Sequence, residues 1–118
     1  MFSKAVKFNR PIGDWNISNV TDMLAMFQGA NLFNQDISSW DTSNVTNMNN
    51  MFSQAYYFNQ PIGNWDVSKV ENMMSMFTYA NSFNQDLTNW CVVNIKSEPS
   101  FSTSSNDFSN WCVSRRVT

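Results

Sequence analysis

The chain of 118 residues contains no histidine, only three glycines and only two cysteines. Without histidine, the usual general base and the Ser–His and Cys–His nucleophile pairs are absent. Three scattered glycines cannot form a glycine-rich phosphate-binding loop. Two cysteines without histidine do not complete a zinc coordination sphere. The sequence therefore predicts that the protein is not an enzyme and that it holds no metal and no cofactor.

Charge and long hydrophobic runs are also scarce. Charged residues make up 14% of the chain, its seven Lys and Arg are scattered, and the formal net charge is −2. Because no basic cluster exists, nucleic acid and anionic lipid are not expected partners. No apolar run approaches the roughly 18 residues of a membrane span. With 42% hydrophobic and 15% aromatic residues, the composition is typical of one folded domain.

What the chain does contain is a repeat of 25 residues. The phrase "FNQDISSW" at residues 33–40 has close copies that begin at Phe8, Phe58 and Phe83. A fixed period in this range indicates an array in which each unit packs on the next. Three columns of the repeat are Met1, Met26, Met51 and Met76, then Phe2, Phe27, Phe52 and Phe77, then Ala5, Ala30, Ala55 and Ala80.

Local patterns predict two elements in each copy. Over residues 43–55 the apolar side chains recur at helical spacing, which predicts a short helix. The other half of the phrase has few apolar residues, and proline occurs there at Pro11 and Pro61. Proline excludes a helix interior. A short strand around Ile37, followed by a turn, is therefore expected.

One copy is too small to be stable alone, because the apolar surface of 25 residues does not offset their conformational entropy. The copies must therefore stack, and residues that recur are expected to cover their counterparts. An inward amide could bond the backbone of its own and the adjacent turns, so the asparagine column is assigned a structural role. The predicted structural residues are Asn9, Asn34, Asn59, Asn84, Trp15, Trp40, Trp65 and Trp90.

The pattern V-x-x-M-x-x-M-F-x-x-A-x-x-F-N-Q-x-I-x-x-W-D-x-S-N runs from Val45 to Lys69, with lysine in the final place. It closely resembles the BspA-like bacterial surface-protein repeat, a relative of the leucine-rich repeats. The resemblance implies an α/β fold: a right-handed, leucine-rich-repeat-like solenoid of about four coils, with a short helix and a short strand in each. It also implies a role at the cell surface in adhesion or recognition.

The repeat predicts how the chain is divided. Residues 1–95 form the repeat array, with coils that start near Met1, Val20, Val45 and Val70. After Ile95 the pattern degenerates, so residues 96–118 are predicted to form a last coil that caps the array. Because the sequence opens in the middle of a phrase, it is interpreted as a fragment in preference to a short array with one uncapped end.

The two cysteines occupy equivalent places, since Cys91 and Cys112 each follow a tryptophan in "NWCV". Equivalent positions on adjacent coils lie about 4.8 Å apart, which is within the Cα separation that a disulfide needs. A bridge is therefore predicted, and it would indicate an oxidising, extracytoplasmic setting. Buried free thiols remain the alternative.

Columns that vary between copies are candidates for ligand contact, because solenoids commonly bind through repeated outward faces. One candidate surface is a polar ribbon and the other is a group of tyrosines, for which edge packing is an equally good explanation. The candidate residues are Arg10, Asp14, Gln35, Ser39, Gln60, Asn64, Gln85 and Asn89 in the ribbon, and Tyr56, Tyr57 and Tyr79.

The predicted function is a surface-displayed or secreted binding or adhesion module that recognises a protein or glycan. A structural spacer without a ligand is the alternative, and ice or crystal binding is ranked lower because the repeated face lacks rows of threonine. The expected location is extracellular or at the cell surface, without direct membrane insertion of this segment. End-to-end self-association at the N-terminal coil is a further expectation.

Overall fold

The structure is a computed structural model that describes residues 1–92 and 94–96. Its chain runs through successive 25-residue units, each of which lies against the next through hydrogen bonds and ring contacts between equivalent positions. We call residues 1–25 coil 1, residues 26–50 coil 2 and residues 51–75 coil 3. Coil 4 is described over residues 76–92 and 94–96. The predicted cap lies almost wholly outside the described residues.

The predicted α/β class is wrong, and so is the leucine-rich-repeat-like solenoid with a helix and a strand in every coil. Residues 1–92 and 94–96 contain no helix, neither at 43–55 nor elsewhere, and no strand around Ile37. Isolated parallel bridges pair Asp22 with Asn47 and Asn47 with Asn72. Within these residues there is accordingly no helix that could cross a membrane.

Left-handed backbone at fixed positions prevents the helix. Ala25, Asn50 and Ser75 have φ angles of 54°, 57° and 55°, whereas a helix requires every residue to be right-handed. The chain instead makes successive tight turns, in which the N–H of Met26 donates to the carbonyl of Met23 at 3.2 Å. Further such turns follow along each coil. The backbone therefore changes direction every few residues and no helix can propagate.

The left-handed residues also set where the remaining N–H groups point. Alternate N–H groups of coil 1 and the start of coil 2 donate to the next coil: Met23 to the carbonyl of Asn47 at 2.9 Å, and Ala25 to that of Asn49 at 2.8 Å. Two residues later in the same series, Phe27 donates to the coil after its own. Half of the N–H groups in this segment thus close turns, and the others bind the neighbouring coil.

Three-residue turns explain why the sequence pattern indicated a helix. A turn closed by a hydrogen bond between residues i and i+3 returns the chain to the same side after three residues, as a helix does after three or four. Met48, Met51, Phe52 and Ala55 are consequently all fully buried. Apolar spacing therefore identified the buried face correctly but not the backbone conformation.

Stacked aromatic rings form the core. Within coil 2 the rings of Phe27 and Phe33 lie 4.1 Å apart, and both columns continue into coil 3, with Phe27 5.6 Å from Phe52 and Phe33 5.8 Å from Phe58. Each such pair contributes about 0.5–1.5 kcal/mol beyond the area that it buries. Because both columns run through all four coils, they join the coils into one core.

The tryptophan column connects the coils through the indole nitrogen. Trp40 Nε1 donates to the carbonyl of Ile12 at 3.0 Å, and Trp65 and Trp90 make the equivalent bond to the coil before them. These three rings are buried, whereas Trp15, on the outer side of coil 1, is 44% exposed. The column therefore stabilises each contact between coils in the same way.

Two glycines permit a close approach between coils. A Cβ added at Gly13 would lie 2.6 Å from the carbonyl oxygen of Asp36, and one added at Gly63 would lie still closer to that of Asp86. Carbonyl oxygens of the backbone cannot move aside as a flexible side chain can. The equivalent residue of coil 2 is Ser38, which shows that a Cβ is tolerated in that copy.

We expect Gly63→Ala to lower the free energy of unfolding by about 1–3 kcal/mol, because coils 3 and 4 must separate to admit the methyl group. Urea denaturation measures the change. Ser38→Ala is the matched control: it keeps a Cβ already present and should cost no more than about 1 kcal/mol, the worth of one exposed hydrogen bond. Equal effects of the two substitutions would show that the close approach is not a constraint.

Candidate functional site

Most of the predicted polar ribbon is engaged in joining the coils. Gln60 Nε2 donates to Asn34 Oδ1 at 2.9 Å, and Gln35 and Gln85 make the same contact in the coils on either side. Ser39 Oγ and Asn64 Nδ2 donate to backbone carbonyls of the preceding coil. The donors of these five side chains are therefore committed to the fold and are not offered to a ligand.

The other ribbon residues lie apart from this ladder. Arg10, Asp14 and Asn89 are exposed, and no hydrogen bond from their side chains to a described residue is present. Asp14 and Gln35 contribute to an open hollow of about 320 Å³ that also includes Asp36. The structure thus brings two of the predicted ribbon residues together, with a carboxylate that the sequence analysis had not selected as a binding residue.

The asparagine column forms a ladder on the surface instead of pointing inward as predicted. Asn9 Oδ1 accepts the N–H of Asn34 at 2.8 Å, Asn34 accepts that of Asn59 at 2.9 Å, and Asn59 accepts that of Asn84 at 2.9 Å. All four side chains are exposed. The amide oxygens of Asn9, Asn34 and Asn59 thus each bond the adjacent coil, and the column connects coils from the outside.

Four aspartates stabilise turns by accepting hydrogen bonds from the residue two positions later in the chain. Asp66 Oδ1 accepts the hydroxyl of Ser68 at 2.7 Å and its N–H at 3.0 Å. These two bonds, the hydroxyl more than the N–H, hold the pKa of Asp66 below its usual value of 3.8. The same pair of bonds from the residue two positions later lowers the pKa of Asp36, Asp41 and Asp86. These carboxylates are turn-forming groups.

The tyrosines lie in equivalent loops of successive coils, residues 54–57 and 79–82, and two aliphatic residues lie in the corresponding loops 4–7 and 29–32. Tyr57 and Tyr79 are each 57% exposed, Tyr56 is less so, and Val6 and Leu32 are about half exposed. Backbone bonds bring the equivalent loops of successive coils together, since the N–H of Leu32 donates to the carbonyl of Val6 at 3.1 Å. We call Val6, Leu32, Tyr56, Tyr57 and Tyr79 the aromatic patch.

Sequence reasoning selected the three tyrosines but missed Val6 and Leu32. Both aliphatic residues fall in columns that are polar or aromatic in other copies: Asn31 stands in the column of Val6, and Ser82 in that of Leu32. The sequence did carry a signal for them: each is an apolar residue in a column that holds a polar residue in another copy. Such a residue is free of the core and available for contact.

Cys91 is disulfide-bonded in the structure. Cys112, its predicted partner, lies outside the described residues, so the Cys91–Cys112 pairing stays a prediction. Among the described residues there is no group of three His, Cys, Asp or Glu side chains that could hold a metal ion.

The family model described as "Mycoplasma protein of unknown function, DUF285" matches residues 1–114. This match covers nearly the whole chain, and the protein therefore belongs to that family. No curated protein and no solved structure matches the chain.

The turn-forming aspartates make stability depend on pH in the acid range. Because the pKa of folded Asp66 is lowered, its stabilisation is complete above the usual pKa of 3.8 and is lost as pH falls through the folded value. We expect the urea midpoint of the wild-type protein to drop more between about pH 6 and about pH 2.5 than that of Asp66→Asn.

Another copy of the repeat already has asparagine at the position of Asp66. Asn16, at the equivalent place in coil 1, accepts the hydroxyl and N–H of Ser18 at 2.7 and 3.0 Å, as Asp66 does from Ser68. Asp66→Asn should therefore fold normally at neutral pH. An unchanged acid dependence, or a protein already unfolded at neutral pH, would contradict the role assigned to this carboxylate.

Intact mass measured after thiol alkylation tests the cysteine prediction. Because the chain has two cysteines and Cys91 is bonded, no label should add to the protein unfolded in urea without reductant, and two should add after reduction. Two labels without reductant would show free thiols and would remove the bridge from the account.

Proposed function

We propose that the chain is a binding module that contacts a partner protein through the aromatic patch, displayed at the cell surface or secreted. The observation that supports this most is the contrast between the two candidate surfaces. Ribbon side chains donate to neighbouring coils, whereas the patch exposes large apolar side chains that the core does not need.

Exposure of such side chains is costly unless a partner covers them. Tyr57 and Tyr79 are more than half exposed and Leu32 is 43% exposed, although coils 2, 3 and 4 each bury two phenylalanines and several other apolar residues. Contiguous apolar surface on a folded protein commonly marks an interaction site. Tyrosine is enriched in such sites because it combines a large apolar ring with a polar tip at small entropic cost.

The composition of the patch favours a protein partner over a glycan. Val6 and Leu32 offer aliphatic surface, which suits the apolar core of a protein interface. A glycan site would need polar groups beside the rings, because each sugar hydroxyl that is buried needs a hydrogen-bond partner. Of the polar residues that share columns with the patch, Asn31 already donates from Nδ2 to the carbonyl of Gln54 at 2.7 Å.

Two observations support a location outside the cytoplasm. Disulfides persist in oxidising compartments, and Cys91 is bonded. The repeat phrase also resembles that of BspA-like surface proteins. This is a finer assignment than the family match gives, and it is part of the proposal. On this proposal the stacked coils present the aromatic patch to a partner outside the cell.

A binding screen on arrays of extracellular proteins and glycans tests the proposal. The wild-type protein should bind a protein ligand saturably, and Tyr57→Ala/Tyr79→Ala should weaken that binding by at least about tenfold, as expected when interface tyrosines are removed. Asp14→Ala/Asn89→Ala is the matched control, since it removes two exposed ribbon side chains and leaves the patch intact. The control should bind as the wild type does.

Three results would contradict the proposal. Loss of binding in the ribbon variant alone would move the site to the ribbon. Binding only to glycans would change the class of partner. Absence of any ligand on either array would favour a structural spacer.

A further inference from the structure

Positive charge accompanies the aromatic patch. The first ten residues of each coil, which include the loops of the patch, contain no Asp or Glu. Coil 1 has three basic residues in this part of the repeat: Lys4, Lys7 and Arg10. The acidic residues up to residue 96 all fall after the tenth position of their coil. This side of the array therefore carries positive charge, although the formal net charge of the chain is −2.

Two of these basic residues occupy columns that form the patch. Lys7 is equivalent to Leu32 of coil 2 and to Tyr57 of coil 3. Lys4 is equivalent to Tyr79 of coil 4. Both lysines are exposed, and neither forms an ion pair with a described residue. The apolar side chains of coils 2 to 4 therefore continue, in the same columns, into two ammonium groups on coil 1.

The backbone at the fourth position of each coil indicates that the long side chains there do not serve the fold. Lys4, Gln54 and Tyr79 have φ angles of 62°, 63° and 61°. This left-handed conformation crowds the Cβ of every residue except glycine. Gly29 takes the same place in coil 2, with a φ of 74° and without that crowding. Strained positions of this kind are concentrated at functional sites, which favours a binding role for Lys4 and Tyr79.

The spacing of the coils sets the size of a segment that contacts both the charged and the apolar part. Equivalent phenylalanine rings of coils 1 and 2, and of coils 2 and 3, lie 5.6 Å apart. Lys7 and Tyr57 are two coils apart, so two steps of 5.6 Å place them about 11 Å from each other along the array. An extended chain advances about 3.3 Å per residue, so about three to four residues span this distance. The N–H groups of Leu32 and Tyr57 already donate to the preceding coil, so side chains and not strand addition must hold the segment.

We propose that the partner protein contacts the patch through an acidic segment. Its carboxylates lie on the two lysines of coil 1, and its apolar side chains lie on Leu32 and Tyr57. Charge complementarity supports this choice, because ammonium groups without acidic neighbours attract carboxylates and repel a basic partner. A sulfated glycan would match the charge but not the aliphatic surface. The inference rests on the proposed function, since it names the chemistry of the partner that the same patch binds.

Two synthetic peptides serve as probes, acetyl-DESLFL-amide and acetyl-NQSLFL-amide, which differ only in carrying carboxylates or amides at the first two positions. Each is added to isotope-labelled protein, and the backbone amide resonances of the protein are followed. The acidic peptide should shift the resonances of Lys7, Leu32 and Tyr57 saturably. The neutral peptide should bind about fivefold more weakly, because two exposed ion pairs are lost. Added salt should weaken the binding of the acidic peptide only.

Two variants separate the charge at the patch from the charge of the whole protein. Lys4→Gln/Lys7→Ser introduces the glutamine and serine that coils 3 and 4 carry at these positions, and it should bind both peptides equally weakly. Arg10→Gln/Lys69→Asn is the matched control. It removes the same net charge outside the patch, again with residues that other coils carry at the equivalent positions. This control should still bind the acidic peptide about fivefold more tightly than the neutral one.

Three outcomes would overturn the inference. Equal binding of the two peptides by the wild-type protein would mean that the patch contacts apolar protein surface regardless of charge, and the proposed function would stand. Absence of a saturable shift with either peptide would mean that an acidic segment is not the occupant, whereas binding on the protein array would still support a protein partner. A heparin hexasaccharide that shifts the same resonances at lower concentration than the acidic peptide would mean that the lysines bind a glycan, and the proposed protein partner would fail as well.

Discussion

Backbone hydrogen bonds that one coil cannot form by itself are the constraint on which this structure depends. Left-handed residues such as Ala25 and Asn50 point alternate N–H groups out of the coil, and a buried N–H that finds no acceptor costs about 1–3 kcal/mol. The next coil supplies those acceptors, at 2.8–2.9 Å from Met23 and Ala25. Each coil is therefore stable only beside another, and the stacked phenylalanines hold the two in register.

The same constraint determines which side chains are available for function. Asparagines and tryptophans that recur in every copy, and glutamines that recur in three of the four, form bonds between neighbouring coils, so the conspicuous repeated polar face mostly serves the fold. Groups that are free to bind a partner occur where the repeat is irregular, as in the aromatic patch. Irregularity within the repeat is thus the better guide to function.

Sequence reasoning recovered the buried face and the period but not the backbone. Apolar spacing placed Met48, Met51, Phe52 and Ala55 together, and all four are buried. It could not distinguish a helix from a chain of three-residue turns, because both repeat nearly every three residues. The positive φ of Asn50 carries no signal in an asparagine, serine or alanine column. The sequence also could not show that Gln35, Gln60 and Gln85 bond the asparagine ladder. A residue that recurs in successive copies is compatible with a binding role and with a structural role.

Hydrogen exchange of the tryptophan indole N–H groups tests the central claim most directly. Contact between successive coils protects an indole only where a preceding coil supplies the carbonyl, so the indole protons of Trp40, Trp65 and Trp90 should exchange slowly and that of Trp15 rapidly. Slow exchange at the three and fast exchange at the fourth is the predicted result. Comparable rates at all four would contradict a structure held together by bonds from each coil to the one before it.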